Sequence, residues 1–142
     1  MDTAVRTIAR PQFGKPLAGE GGTFEAVMKG ELGAPDYLLI LHQEHRDPAP
    51  WKEQMAWAKK LDADGHRDFR LPTRRELHAL IANAKEKFNN NWYWSCEPDG
   101  SDYAWYQSFN NGNQNYNHQD NNNRACAVRR WHRHECTCRT PC

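Results

Sequence analysis

Thr73-Arg-Arg-Glu76 fixes the start of a helix more firmly than any other stretch of this chain fixes its local structure. The Thr hydroxyl can cap the third helical amide while the Glu carboxylate reaches back to the Thr amide, a reciprocal capping box. Leu77, Leu80, Ile81 and Ala84 follow at helical spacing, so this helix buries one stripe and fades between Ala84 and Phe88. A shorter helix is expected from Pro50 to Leu61, with Pro tolerated in its first turn. Trp51, Met55, Ala58 and Leu61 lie near one face of it, and Asp62-Ala-Asp-Gly65 should end it.

The flanking sequence has the texture of strands. Tyr37-Leu-Leu-Ile-Leu41 is the longest apolar run and, by length and type, a buried strand. Thr23–Lys29 and Asp36–His42 read as two strands joined through Gly30–Pro35. Trp92–Cys96, Tyr103–Phe109 and Ala125–Trp131 are aromatic or β-branched runs separated by Gly, Asn and Asp clusters. Strands, two helices, then strands predict an α+β domain with the helices packed on a small antiparallel sheet. Residues 1–22, rich in Pro and Gly, are expected to form an extended arm; 23–131 form the domain, and 132–142 a Cys/His-rich tail.

The hydrophobic fraction, 38%, is low, but six Trp, five Tyr and five Phe can supply much of the core area. Nineteen Lys and Arg nearly balance eighteen Asp and Glu, so no overall field draws the chain to nucleic acid or membrane. The basic residues between Arg124 and Arg139 do not change that expectation. No apolar run approaches the roughly 18 residues that a membrane helix needs, and the first residues lack a signal-peptide core. The expected location is cytoplasmic or virion-associated.

The polar chemistry concentrates in one place. Asn fills eight of the fourteen positions from Asn110 to Asn123, between the aromatic run Tyr103–Phe109 and the closing run Ala125–Trp131. A polar, uncharged stretch held between two strands reads as a surface mounted on a scaffold, and such surfaces bind. Tyr and Trp give contact area at low entropy cost and Asn gives adaptable donors and acceptors, the mixture that antibody loops use. The candidate ligand-binding residues are Tyr93, Tyr106, Asn110, Asn111, Asn113, Asn115, Tyr116, Asn117, His118, Asn121 and Asn122. A protein or a glycan would suit them.

Several motifs in order carry a family likeness. They are Trp57-Ala-Lys-Lys-Leu61, Gly65-His-Arg-Asp-Phe-Arg-Leu-Pro-Thr-Arg-Arg-Glu-Leu77, Trp92-Tyr-Trp-Ser95, Ala104-Trp105, Phe109, Gly112 and Ala127-Val-Arg-Arg130. Over about residues 50–131 the chain closely resembles the bacterial and phage family of Lcl-type C-terminal domains. The resemblance implies a C-type-lectin-like fold, akin to that of formylglycine-generating enzymes. Within it, Asp68 should pair with a nearby Arg, Trp94 and Trp105 should stack across neighbouring strands, and Val128 should enter the core. The stretch from Tyr93 to Asn123 also resembles the variable region of proteins served by diversity-generating retroelements, where adenine-rich Asn codons are mutated. That likeness implies an interchangeable binding surface, with Arg124–Trp131 as the unvaried end.

Other chemistries find less support. Glu97-Pro98-Asp99 resembles the sugar-binding tripeptide of calcium-dependent lectins, but Ala104-Trp105-Tyr106 supplies no further carboxylate, and calcium needs six to eight oxygens. A turn is expected there. His132, His134, Cys136, Cys138 and Cys142 are zinc-type ligands in no recognisable finger spacing, so no metal or other cofactor is assigned. A solvent-exposed tail, or disulfides formed after lysis, accounts for them more simply. Cys96 and Cys126 could bridge or remain buried thiols. No nucleophile–base spacing or phosphate-cradling Gly loop marks an enzyme. The function expected is non-catalytic ligand binding, such as phage receptor binding, with homo-oligomerisation or docking to a larger particle through residues 1–22. The alternatives are an assembly protein with inert loops and a zinc-binding module.

Overall fold

A computed structural model describes residues 12–132. The stretch read as an arm is folded where it is described. β1 (Pro16–Leu17) pairs antiparallel with β2 (Gly22–Met28), and the Gly14 amide donates to Phe24 O. The Cys/His tail lies outside the described residues from 133 on, as does the arm up to 11.

The strands form two sheets rather than one. The first has the order β1-β2-β3-β9, with β3 at Tyr37–Leu41 and β9 at Val128–Trp131. The second has the order β4-β8-β5-β6-β7: β4 Arg46–Ala49, β5 Trp92–Asp99, β6 Tyr103–Ser108, β7 Gln114–His118 and β8 Asn123–Ala125. One pair, β5 with β8, is parallel, meeting at Tyr93 and Arg124. The single closing strand expected over Ala125–Trp131 is therefore two strands. The chain leaves one sheet after Ala125, buries Cys126 and Ala127, and enters the other at Val128 opposite Leu41.

Two helices pack between and beside these sheets. α1 (Trp51–Lys59) buries Trp51, Gln54 and Ala58. It stops before Gly65, which instead makes the positive-φ turn (φ 83) of a small loop bridging Ala63 and His66. α2 (Arg74–Ala84) carries the capping box in full: Thr73 Oγ1 accepts the Glu76 amide and Glu76 Oε1 accepts the Thr73 amide.

β3 is apolar throughout because it is covered on both faces. Leu39 and Leu41 join Leu77, Leu80, Phe88, Tyr93, Phe109 and Val128 in a core beneath α2. Leu38 and Ile40 face the other way and pack with Phe24, Leu17 and Trp131. A second core gathers Trp51, Ala58, Phe69, Leu71, Trp94 and Tyr106 around α1.

A buried ion pair ties α2 to the first sheet. Arg70 donates to both oxygens of Glu76 at 2.7 and 2.8 Å, and the Tyr37 hydroxyl donates to the same carboxylate. Burial opposes the charge of Glu76, but the Arg70 guanidinium, then Tyr37 and Thr73, hold its carboxyl below the usual range. Asp68 pairs with Arg129 at 2.8 Å, a partner distant in sequence, and Arg129 also reaches Glu20. Cys96 and Cys126 remain free thiols, both raised in pKa by burial.

Candidate ligand-binding surface

β7 (Gln114–His118) turns five of the fourteen residues of the Asn-rich run into a strand. Its register with β6 places His118 opposite Tyr103, Tyr116 opposite Trp105 and Gln114 opposite Gln107. Alternation along a strand puts these six side chains on one face and Asn115 and Asn117 on the other, beside Tyr106 and Ala104. The run is thus divided between two faces and the turns at either end.

The first face carries a row of aromatic rings. Trp105 meets Tyr116 edge-on at 5.4 Å between centroids, Tyr116 meets Tyr103 at 5.7 Å, and Tyr103 meets the His118 ring at 5.4 Å. Tyr103 and Tyr116 are 42% and 50% exposed, high for aromatic side chains. At the inner end of the row the Arg74 guanidinium lies 3.6 Å from the centre of the Trp105 ring, a cation–π contact. Arg74 Nε donates to Gln114 Oε1, and Gln114 Nε2 donates to Arg74 O and to Gln107 Oε1. Gln107 in turn donates to Gly112 O, closing the turn at the start of β7. These amides, Gln107 buried and Gln114 half-buried, fix the strand pair to the first turn of α2.

Beyond Arg74 and Gln114 opens a groove of about 460 Å³, lined also by Glu31, Tyr37, Thr73, Arg75, His78, Glu97 and Arg130. Glu97 accepts the Arg74 amide, and Glu31 lies 3.4 Å from Arg75. The Arg130 guanidinium stacks 4.5 Å from the Tyr37 ring centre. Among the described residues, neither Arg74 nor Arg130 has a carboxylate in ion-pair range of its guanidinium. Arginines stacked on rings and unneutralised are prepared to meet an anionic group.

The structure sorts the sequence-based candidates. Asn110, Asn111, Asn113, Asn115, Tyr116, His118, Asn121 and Asn122 are exposed and Asn117 half-buried. Tyr93 is not a surface residue: it is fully buried among Phe88, Phe109 and His45, and its hydroxyl accepts the Asn89 amide. Tyr106 is also buried, on the opposite face from Trp105, under the exposed ring of Trp92 at 4.5 Å. Trp94 and Trp105 do not stack. Trp94 pairs with Tyr106 in register, so the two Trp side chains leave opposite faces of the sheet. Glu97-Pro98-Asp99 ends β5 instead of forming the turn, which falls at Gly100.

Tyr103, Trp105, Arg74 and Gln114 form this surface and are not among the sequence-based candidates. Period-two alternation through Tyr103, Trp105 and Gln107 would have separated this face from that of Tyr106. Arg74 and Arg130 left no local signal, because only the packing of α2 and β9 brings them together.

The family model described as the Lcl C-terminal domain matches residues 29–129, which spans α2, the aromatic row and all of the groove except Arg130. No curated protein matches the chain.

Proposed function

This chain belongs to the Lcl C-terminal domain family, and from that premise we propose a non-catalytic ligand-binding protein whose site is the Tyr103–Trp105–Tyr116 row with the Arg74 groove. The observation that carries the proposal is the Arg74–Trp105 stack, which joins an exposed aromatic row to a cationic groove. Ring faces suit the C–H faces of sugars, and stacked guanidinium groups suit an acidic substituent. The ligand class that best combines the two is a glycan bearing acidic groups on a target surface. Of the two groove carboxylates, Glu97 accepts the Arg74 backbone amide and Glu31 pairs with the Arg75 guanidinium, an arrangement suited to holding a ligand rather than to proton transfer. The pairing of β3 with the closing strand β9 supports the C-type-lectin-like arrangement that the family likeness implies.

The test is binding of the protein to an array of neutral, carboxylated and sulfated oligosaccharides at low and high salt. Acidic glycans should be retained preferentially, with signal falling as salt rises. Retention of none of them would refute the glycan assignment and turn the search to protein ligands.

A second reading concerns diversification. Asn110, Asn111, Asn113, Asn121 and Asn122 are exposed on turns, so they can change without touching the core. Gln107, Gln114 and Gln119 instead bond the scaffold. A reverse-transcriptase gene beside a near-copy of the Trp92–Trp131 coding region, differing at adenines, is the expected genomic finding. Its absence removes diversification and leaves the binding proposal standing.

A further inference from the structure

Among the described residues, β7 is the outermost strand of its sheet, and one of its edges meets no other strand. Amides of an antiparallel strand point alternately toward and away from the partner. The Tyr116 amide donates to Asn115 Oδ1 at 2.8 Å, and the His118 amide donates to Asn117 Oδ1 at 3.0 Å. Each of these two alternate amides is taken by the side chain before it rather than by β6. Asn121 Nδ2 donates to the same Asn117 Oδ1 at 2.6 Å, which steadies that side chain from the following turn.

An open edge with unpaired donors is a template for another strand. The common protections are missing here. β7, Gln114-Asn-Tyr-Asn-His118, contains no Lys, Pro, Asp or Glu, and its pairing with β6 runs without a bulge. The strand is also nearly symmetric about Tyr116. Two copies can align antiparallel around that residue with Asn115 facing Asn117 and no charge to repel them. Uncharged strands of Asn, Gln and aromatics stack well.

We propose that Asn115 and Asn117 are edge caps. Their side-chain carbonyls occupy two of the outward amides of β7, those of Tyr116 and His118, and keep that edge from pairing with β7 of a second copy of this chain. The role separates these two residues from the rest of the run. Asn111 Oδ1 accepts the Asn113 amide within the turn before β7, off the strand edge, and Asn110 and Asn122 can vary freely, whereas positions 115 and 117 require an acceptor close to the main chain.

The experiment compares the protein with an Asn115→Ala/Asn117→Ala variant by amide hydrogen exchange and by sedimentation velocity over a concentration series. The Tyr116 and His118 amides should exchange about 2- to 10-fold faster in the variant at dilute concentration, the effect of losing one net hydrogen bond. With rising concentration the variant should associate beyond the state of the parent protein. An Asn110→Ala/Asn111→Ala control should not. Adding Tyr116→Pro removes an outward donor and should reverse the association. A folded double variant that keeps the parent's association state throughout overturns the proposal. So do Tyr116 and His118 amides that exchange in the parent at the rate of unstructured chain, a measurement that decides the matter even if the double variant fails to fold.

Discussion

The Arg74 guanidinium carbon lies over the Trp105 ring, 3.6 Å from its centre, while Arg74 Nε donates to Gln114 on the strand beside that of Trp105. This contact joins the first turn of the capped helix to the exposed edge of the second sheet. It leaves the guanidinium ordered and without a carboxylate partner among the described residues. Replacing Arg74 with Ala should lower stability by only about 0.5–1 kcal/mol, the worth of an exposed cation–π contact. Urea unfolding measures that loss, and the same variant should lose retention of acidic glycans. A large stability loss would make Arg74 a structural residue instead.

Tyr93 and Tyr106 are the two candidates that the fold removes from the surface, and Tyr93 is the more deeply buried. Tyr93→Ala should behave as a core truncation, costing about 3–5 kcal/mol. Asn111→Ala, on an exposed turn, should stay within about 0.5 kcal/mol of the parent. Denaturant midpoints of the two variants check the contrast.

The Glu76 carboxylate gives the stability of the domain an acid limb. Its folded-state pKa is held below the ordinary value, so its contribution is complete above that value and is lost as pH falls through the folded one. Glu76→Gln should cost on the order of 3–5 kcal/mol at pH 7 because it breaks a buried pair. The gap between variant and parent should narrow below about pH 4, near the unperturbed Glu value. Unfolding curves at pH 7 and pH 3 would show it. A gap independent of pH contradicts the assignment.

Tyr37 supplies the alkaline counterpart. Burial first, then its hydrogen bond to Glu76 and the charge of that carboxylate, push the phenol up to about 12. A raised folded-state pKa stabilises below the unfolded value of about 10 and is lost as pH climbs toward 12. Tyr37→Phe should therefore flatten the alkaline limb, as thermal unfolding between pH 9 and pH 12 would reveal.

Legibility in the sequence followed the range of the interactions. The capping box and the Leu77–Leu80 stripe are local, and they stand where they were expected. Tyr37–Leu41 was legible because a strand covered on both faces must be apolar at every position. β7 was not, because Asn is depleted in strands and its pairing is held by the aromatic face of β6 rather than by its own propensity. β4 escaped for a similar reason, with Pro48 inside an edge strand. The division of the closing segment depends on two different neighbours, Tyr93 for Arg124 and Leu41 for Val128, which no local pattern encodes. The exposed Asn residues were found by composition alone, whereas the Arg74–Trp105 site needed the fold.

Ligand binding is proposed to reside on the aromatic row and its Arg74 groove. The most direct measurement is the oligosaccharide array with Trp105→Ala beside the parent protein and an Asn121→Ala/Asn122→Ala control. Trp105→Ala, still folded, should lose acidic-glycan signal by tenfold or more, a difference of about 1.4 kcal/mol, while the control should bind as the parent does. Equal retention by Trp105→Ala and parent, or no retention by the parent, would contradict it.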